Sequence, residues 1–270
     1  MEGTVFQRNG GNVTKKRIWV LLRGLVREQR HWGDFPNKLQ AFFPDDEILL
    51  YDFPGNGARY QETSTTTITA MVDDLRSFIR DQNISKPVHI VALSLGAMVA
   101  VEWMSRHSDE CAASILISTS LRGLNPFYQR LLPSTYFAVF SSLLLPGNIR
   151  HKETTSLRFI SNIVTEDSAK SEMTIDNWVR YAEQCPVSGL NGLRQLLAAT
   201  RFRVPKKCPN TPMLIMSSNA DKLVSPLCSN RLANYWNLPI VTHDTAGHDI
   251  PLDDGKWVCK KIAHWLNDLN

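Results

Sequence analysis

The chain has 270 residues, 43% of them hydrophobic and 21% charged, a balance that suits a globular protein long enough to bury a large core. A formal net charge of +4, spread along the chain with no basic runs, gives no case for nucleic-acid binding and only a weak pull toward anionic partners. The N-terminal MEGTVFQRNGGNVTKK lacks the apolar stretch of a signal peptide, and no segment reaches the roughly 18 apolar residues of a membrane span. Cys111, Cys185, Cys208, Cys228 and Cys259 are odd in number, far apart and without metal-ligand spacing, which fits a reducing compartment and a cytoplasmic protein.

In chain order, a short strand is expected around Thr4 to Phe6, then a buried strand at Arg17 to Leu22 (RIWVLL) stopped by Arg23-Gly24. Trp32 to Phe43 suits a helix, and Glu47 to Tyr51 (EILLY) a second strand. The sequence DFPGNG after it reads as a tight loop punctuated by glycine. Ile68, Met71, Val72, Leu75, Phe78 and Ile79 mark one face of a helix capped from the Thr63 to Thr67 cluster. Another apolar strand is expected at Ala112 to Ser118. Strand character then vanishes between Leu121 and Val204 and returns at Pro212 to Ser218 (PMLIMSS). A helix from Ser225 to Trp236, a strand at Ile240 to His243 and a terminal helix bearing Trp257, Val258, Ile262, Trp265 and Leu266 complete the chain. Alternation of this kind predicts an α/β fold, a mostly parallel central sheet flanked by helices. Residues 1–120 and 205–270 form its core in this reading, and residues 121–204 are a helical lid inserted over the strand ends, where open α/β sheets bind ligands.

The stretch that organises the rest is Pro87 to Trp103, PVHIVALSLGAMVAVEW. Val88 to Leu93 favours a strand and Leu95 to Trp103 a helix, with Ser94 between them. A sharp strand-to-helix turn exposes its apex side chain and strains its backbone, so the positions two before and two after must be small. Ala92 and Gly96 meet that need. The plain alternative is an ordinary turn with a capping serine.

A serine hydroxyl needs a histidine to take its proton, and the histidine needs a carboxylate to fix its tautomer. Asp221 lies just beyond PMLIMSS, in NADKLVSP, and His248 just beyond the next strand, in AGHDIPLDD. Nucleophile, acid and base thus come in that order, each just beyond the C-terminal end of an expected strand. His243, the alternative base, falls within a strand, and His89 reads as a core histidine. Asp249, Asp253 and Asp254 read as solvated loop or helix-start carboxylates, and Arg27 as a surface charge, although Arg27 and His31 follow the loop after the first core strand closely enough to reach a substrate. No zinc, phosphate-loop or dinucleotide motif is present, so no cofactor is expected.

With ALSLG, DFPGNG, NADKLVSP and AGHDIPLDD in this order, the chain resembles the α/β-hydrolases over residues 17–120 and 205–270, and in size it resembles lidded serine carboxylesterases, such as those acting on carrier-bound acyl esters. The resemblance implies Ser94 as nucleophile, His248 as base, Asp221 as its orienting acid, and the backbone N–H groups of Leu25 and Leu95 as an oxyanion hole. Two departures stand out: Ala92 replaces the family's first elbow glycine, and Arg23-Gly24 replaces its usual His-Gly. Arg23 either binds a substrate carboxylate or phosphate or ties down its loop through backbone carbonyls. Phe127, Tyr128, Tyr136 and Phe137 are the aromatic candidates for lining an acyl pocket. The expected activity is hydrolysis of a small or medium acyl ester or thioester through an acyl-enzyme, with a small-molecule acyl substrate; the lid's basic excess would either attract an acidic acyl-carrier protein or an anionic head group, or form a solvated face that only keeps the lid soluble. The alternatives are a cofactor-free lyase or C–C bond hydrolase using the same three residues, and a non-catalytic ligand-binding homologue.

Overall fold

Alternating apolar runs and amphipathic helices place the sheet in the middle of the chain's three layers. The computed structural model describes residues 16–145, 147–163 and 167–269; the strand expected at Thr4 to Phe6 lies outside them. Six parallel strands, β1 (Ile18–Leu22), β2 (Glu47–Tyr51), β3 (Val88–Leu93), β4 (Cys111–Ile117), β5 (Met213–Ser218) and β6 (Ile240–His243), are ordered β2-β1-β3-β4-β5-β6.

Because side chains alternate across a strand, each inner strand feeds two cores. Val20, Leu22, Ile90 and Ala92 pack on one side with α2 (Ile68–Asp81), α3 (Leu95–Arg106) and α9 (Leu227–Trp236). Trp19, Leu21, Val91 and Leu93 pack on the other side with α1 (Phe35–Phe42) and α10 (Ile250–Leu269). The helix expected from Trp32 begins as a separate short 3-10 turn, Gln29–Trp32, before Pro36 opens α1. Thr67 starts α2 by accepting the Ala70 N–H at 3.2 Å.

Between β4 and β5 the described residues form helices α4 (Phe127–Arg130), α5 (Tyr136–Leu144), α6 (Ile149–Ile160), α7 (Ser168–Gln184) and α8 (Gly189–Arg201). Asn148, Asp167 and Ser188 cap α6, α7 and α8 through their side-chain oxygens. Leu157, Ile163, Ile175 and Trp178 give this cap a small core of its own. The segment leaves and rejoins the sheet through a neck, where the Val204 N–H donates to Arg122 O at 2.9 Å and the Arg122 N–H to Phe202 O at 3.3 Å. No helix among the described residues is long and apolar enough to cross a membrane. The five cysteines are unpaired thiols; burial pushes those of Cys228 and Cys259 up to about 12.

Candidate active site

Ser94 occupies the single residue between β3 and α3, with φ 56° and ψ −110°. That left-handed conformation is costly for any residue but glycine and is held from outside. The Ser94 N–H donates to Ile117 O of β4 at 2.9 Å. A methyl group on Gly96 would lie 2.4 Å from Leu22 O, so only glycine lets α3 start this close to β1. The Ser94 hydroxyl does not cap its helix. It is left free of the role that an ordinary turn serine would play.

The acid and the histidine follow β5 and β6. Asp221 Oδ1 accepts the N–H groups of Leu223 (2.8 Å) and Val224 (2.9 Å), which fixes the carboxylate, and Oδ2 takes the His248 Nδ1 hydrogen at 2.8 Å. A carboxylate facing Nδ1 places the ring proton there and leaves Nε2 with its lone pair. His248 Nε2 is buried and, among the described residues, has no hydrogen-bond partner, Ser94 included. Both residues line one cavity of about 120 Å³, walled further by Gly24, Leu25, Val26, Leu93, Val139, Phe159, Ile160 and Leu223. A cavity of about 250 Å³ adjoins it, sharing Val26, Arg27 and Ser156.

The cap reaches this loop cluster as well. Asn162 Nδ2 donates to Thr245 O at 2.7 Å and, at 3.4 Å, to Ala220 O, bridging the histidine and acid loops. The Asp249 N–H donates to Ile160 O at 2.7 Å, and a methyl group on Gly247 would meet that oxygen at 2.8 Å.

The loop after β1 closes a turn through the Arg27 N–H and Gly24 O (3.3 Å), with Val26 at φ 52°. Gly24 lies against the elbow, since a methyl group there would stand 3.3 Å from Ser94 Cβ. Leu25 lines the cavity and Leu95 is the first residue of α3, where a helix leaves its N–H without an internal acceptor.

Several site candidates sit elsewhere than the sequence suggests. Arg23 walls the cavity, but its guanidinium is 1% exposed, forked onto Asp249 and stacked 4.7 Å over Trp32. It holds its loop through the Asp249 carboxylate. Asp249 is correspondingly fully buried, contrary to its reading as a solvated carboxylate. Asp253 is also no solvated group: it accepts from the Ser161 hydroxyl, the Asn162 N–H (2.9 Å) and the Gly247 N–H (2.6 Å). Phe127, Tyr128 and Phe137 are exposed, Phe137 by 77%, and none of the three lines the cavity, nor does Tyr136. The cap offers Ala138, Val139, Thr155, Ser156, Phe159 and Ile160 instead, because the inward faces of α5 and α6 carry these residues.

Arg27 is no free surface charge: it pairs with Glu153 of α6 at 2.6 Å and lies 4.4 Å over Trp178. His31, Glu28 and Tyr181 wall the adjoining cavity. Burial first, then the Arg27 and Arg23 cations, hold His31 well below the usual histidine range. His243 accepts the Thr245 and Ala246 N–H groups at Nδ1 and packs on Trp257, away from Ser94. Among the described residues, no cluster of His, Cys, Asp and Glu is placed to hold a metal ion.

Comparison with known proteins points one way. The family model described as "Alpha/beta hydrolase family" matches residues 19–261. The enol-lactonase of Burkholderia xenovorans LB400 superposes with a TM-score of 0.76 at 16% identity, covering 96% of this chain and 94% of that one. An esterase from Rhodococcus sp. ECU1013 gives 0.76 at 14%, covering 94% and 92%. At such identities the likeness is one of fold. In sequence, the chain is 24% identical over 207 residues to the biotin biosynthesis bifunctional protein BioHC of Teredinibacter turnerae (strain ATCC 39867 / T7901), over 70% of its own length. It spans about a third of that curated relative, 34%.

Proposed function

The chain belongs to the alpha/beta hydrolase family, and we propose that within it the protein is a serine hydrolase of small or medium acyl esters or thioesters. Ser94 Oγ attacks the acyl carbon while its proton passes to His248 Nε2, and Asp221 holds the resulting imidazolium. The carbonyl oxygen, now negative, lies between the N–H groups of Leu25 and Leu95. Collapse of the tetrahedral species breaks the bond to the alcohol or thiol, which leaves with the proton from Nε2. Water then repeats the sequence on the acyl-serine, returning the free acid and the enzyme.

The observation that best supports this reading is the state of His248. Its Nδ1 is committed to Asp221 at 2.8 Å, while Nε2 is buried, without a partner among the described residues, and belongs to a residue that lines the same cavity as Ser94. The largely apolar wall supports an acyl group as the bound portion. An acidic acyl-carrier protein as its bearer is part of the same proposal, supported by the cap's basic excess. Some of that excess is already used: Arg150 pairs with Glu172 and Asp176, and Arg130 binds carbonyls at the end of α8.

Stopped-flow hydrolysis of p-nitrophenyl esters tests the reaction. A burst of nitrophenol equal to the enzyme concentration, absent from Ser94→Ala, is expected. A protein with no burst and no turnover toward oxygen or thiol esters from acetyl to octanoyl would refute the proposal.

A further inference from the structure

Helix α8 is turned inside out. Asn191, Gly192, Gln195 and Ala198 face inward while Leu190, Leu193 and Leu197 are exposed. Leu190 is 65% exposed and Leu193 and Leu197 37% each, and a helix turns a polar face inward only where that face meets partners for its hydrogen bonds. Those partners are the two loops beside the elbow.

Gln195 is fully buried and its amide makes three hydrogen bonds to the neighbouring loops. Its Oε1 accepts the Val26 N–H at 2.9 Å; its Nε2 donates to Asn56 Oδ1 at 2.7 Å and to Ser64 Oγ at 3.0 Å. The orientation follows from the ends of the network. Asn56 Nδ2 donates to Arg27 O at 3.0 Å and the Ser64 hydroxyl to Pro54 O at 2.6 Å, so both groups turn acceptors toward Gln195. Asn191 closes the far side, accepting the Ser64 N–H at 3.0 Å and donating to Glu62 O at 2.9 Å.

One side chain of the cap therefore grips the turn that carries Leu25. The grip falls where the turn needs it: Val26 is β-branched and held at φ 52°, a position that turns ordinarily give to glycine or asparagine. Freed of its acceptor, the Leu25–Val26 peptide has every reason to rotate out of that conformation, and Leu25 moves with it.

We propose that Gln195 is a positioning residue which, from the cap, holds the Leu25 N–H in place for the oxyanion. This rests on the serine-hydrolase reading above for its catalytic consequence. It makes the cap part of the transition-state machinery as well as a wall of the pocket, so that a cap lifted from the core would lose rate along with binding.

The test compares Gln195→Met, which keeps the length and loses both polar functions, with Asn191→Leu, which breaks the same network without touching the turn. Expected for Gln195→Met are a fall in kcat of roughly ten- to a hundredfold with KM changed by less than about threefold, and trifluoromethyl ketone affinity falling in parallel with kcat/KM. Hydrogen exchange of a peptide covering residues 23–27 should speed up in Gln195→Met alone. Asn191→Leu should lower the melting temperature while keeping its affinity for the ketone. Unchanged exchange at 23–27 in Gln195→Met, or equal loss of ketone affinity in both variants, would overturn the proposal. If the wild type neither turns over esters nor reacts with a fluorophosphonate at Ser94, the functional reading fails instead, and the exchange comparison still decides whether Gln195 holds the turn.

Discussion

Arg23 and Asp249 form an ion pair whose side chains are each 1% exposed, with Nη2 and Oδ2 at 2.6 Å. One directly precedes Gly24 of the β1 turn and the other directly follows His248, so the pair fastens two site loops that lie 226 positions apart in sequence. The charges are taken out of water together, which makes each the condition of the other. Removing one partner by Asp249→Ala should cost about 3–5 kcal/mol in urea unfolding. The double replacement Arg23→Met with Asp249→Leu should recover most of that. Additive losses in the double-mutant cycle would show that the pair is not coupled.

The same pairing bears on substrate choice. With both terminal nitrogens of Arg23 occupied by Asp249, Arg23→Met should not raise KM selectively for anionic esters. Matched neutral and carboxylate-bearing substrates check this, and a penalty confined to the anionic member would contradict the structural assignment.

Pocket length is set by the cap residues that line it. Phe159→Ala should extend the acyl range, each added methylene contributing about 0.8 kcal/mol to transition-state binding until the space is filled. Phe137→Ala should leave the profile alone, since Phe137 is 77% exposed and off the cavity wall. A profile over acetyl to octanoyl esters that is the same in Phe159→Ala and wild type would refute the assignment of the wall.

Acid sensitivity should carry a signature of His89. Burial, with a smaller contribution from Arg17, pushes this imidazole down to about 4. The unfolded chain, titrating near about 6.5, binds the proton first, so the stabilising effect of the neutral ring is complete above that pH and lost as pH falls toward 4. The loss amounts to at most about 3 kcal/mol. Glu28 and Asp52, whose carboxyls burial pushes up, work in the opposite direction just above their ordinary range. The comparison is therefore between variants: His89→Phe should lose less melting temperature than wild type between pH 6.5 and 4. Parallel curves would contradict it.

The sheet was legible in the sequence because every strand is a short apolar run, and Ser94, Asp221 and His248 were legible because each stands at the end of one. What lies across the chain was not. Nothing local to Asp249 says that a cation 226 positions away meets it, so its charge reads as solvated. The aromatics Phe127 and Phe137 read as pocket lining from their apolar surface alone, yet composition does not tell which face of a helix turns inward. Helix α8 shows the same limit: a helical lid is expected there, but the amides Asn191 and Gln195 are inside because two loops take their hydrogen bonds. That demand is visible only in three dimensions.

In the proposed reaction Ser94 becomes covalently acylated with His248 as its base. Intact-protein and peptide mass spectrometry after brief exposure to an excess of a fluorophosphonate reads this most directly. One adduct per chain, mapped to Ser94, is expected, lost or slowed by a thousandfold or more in His248→Ala. No adduct on the folded wild type, or one that forms at the same rate in His248→Ala, would contradict it.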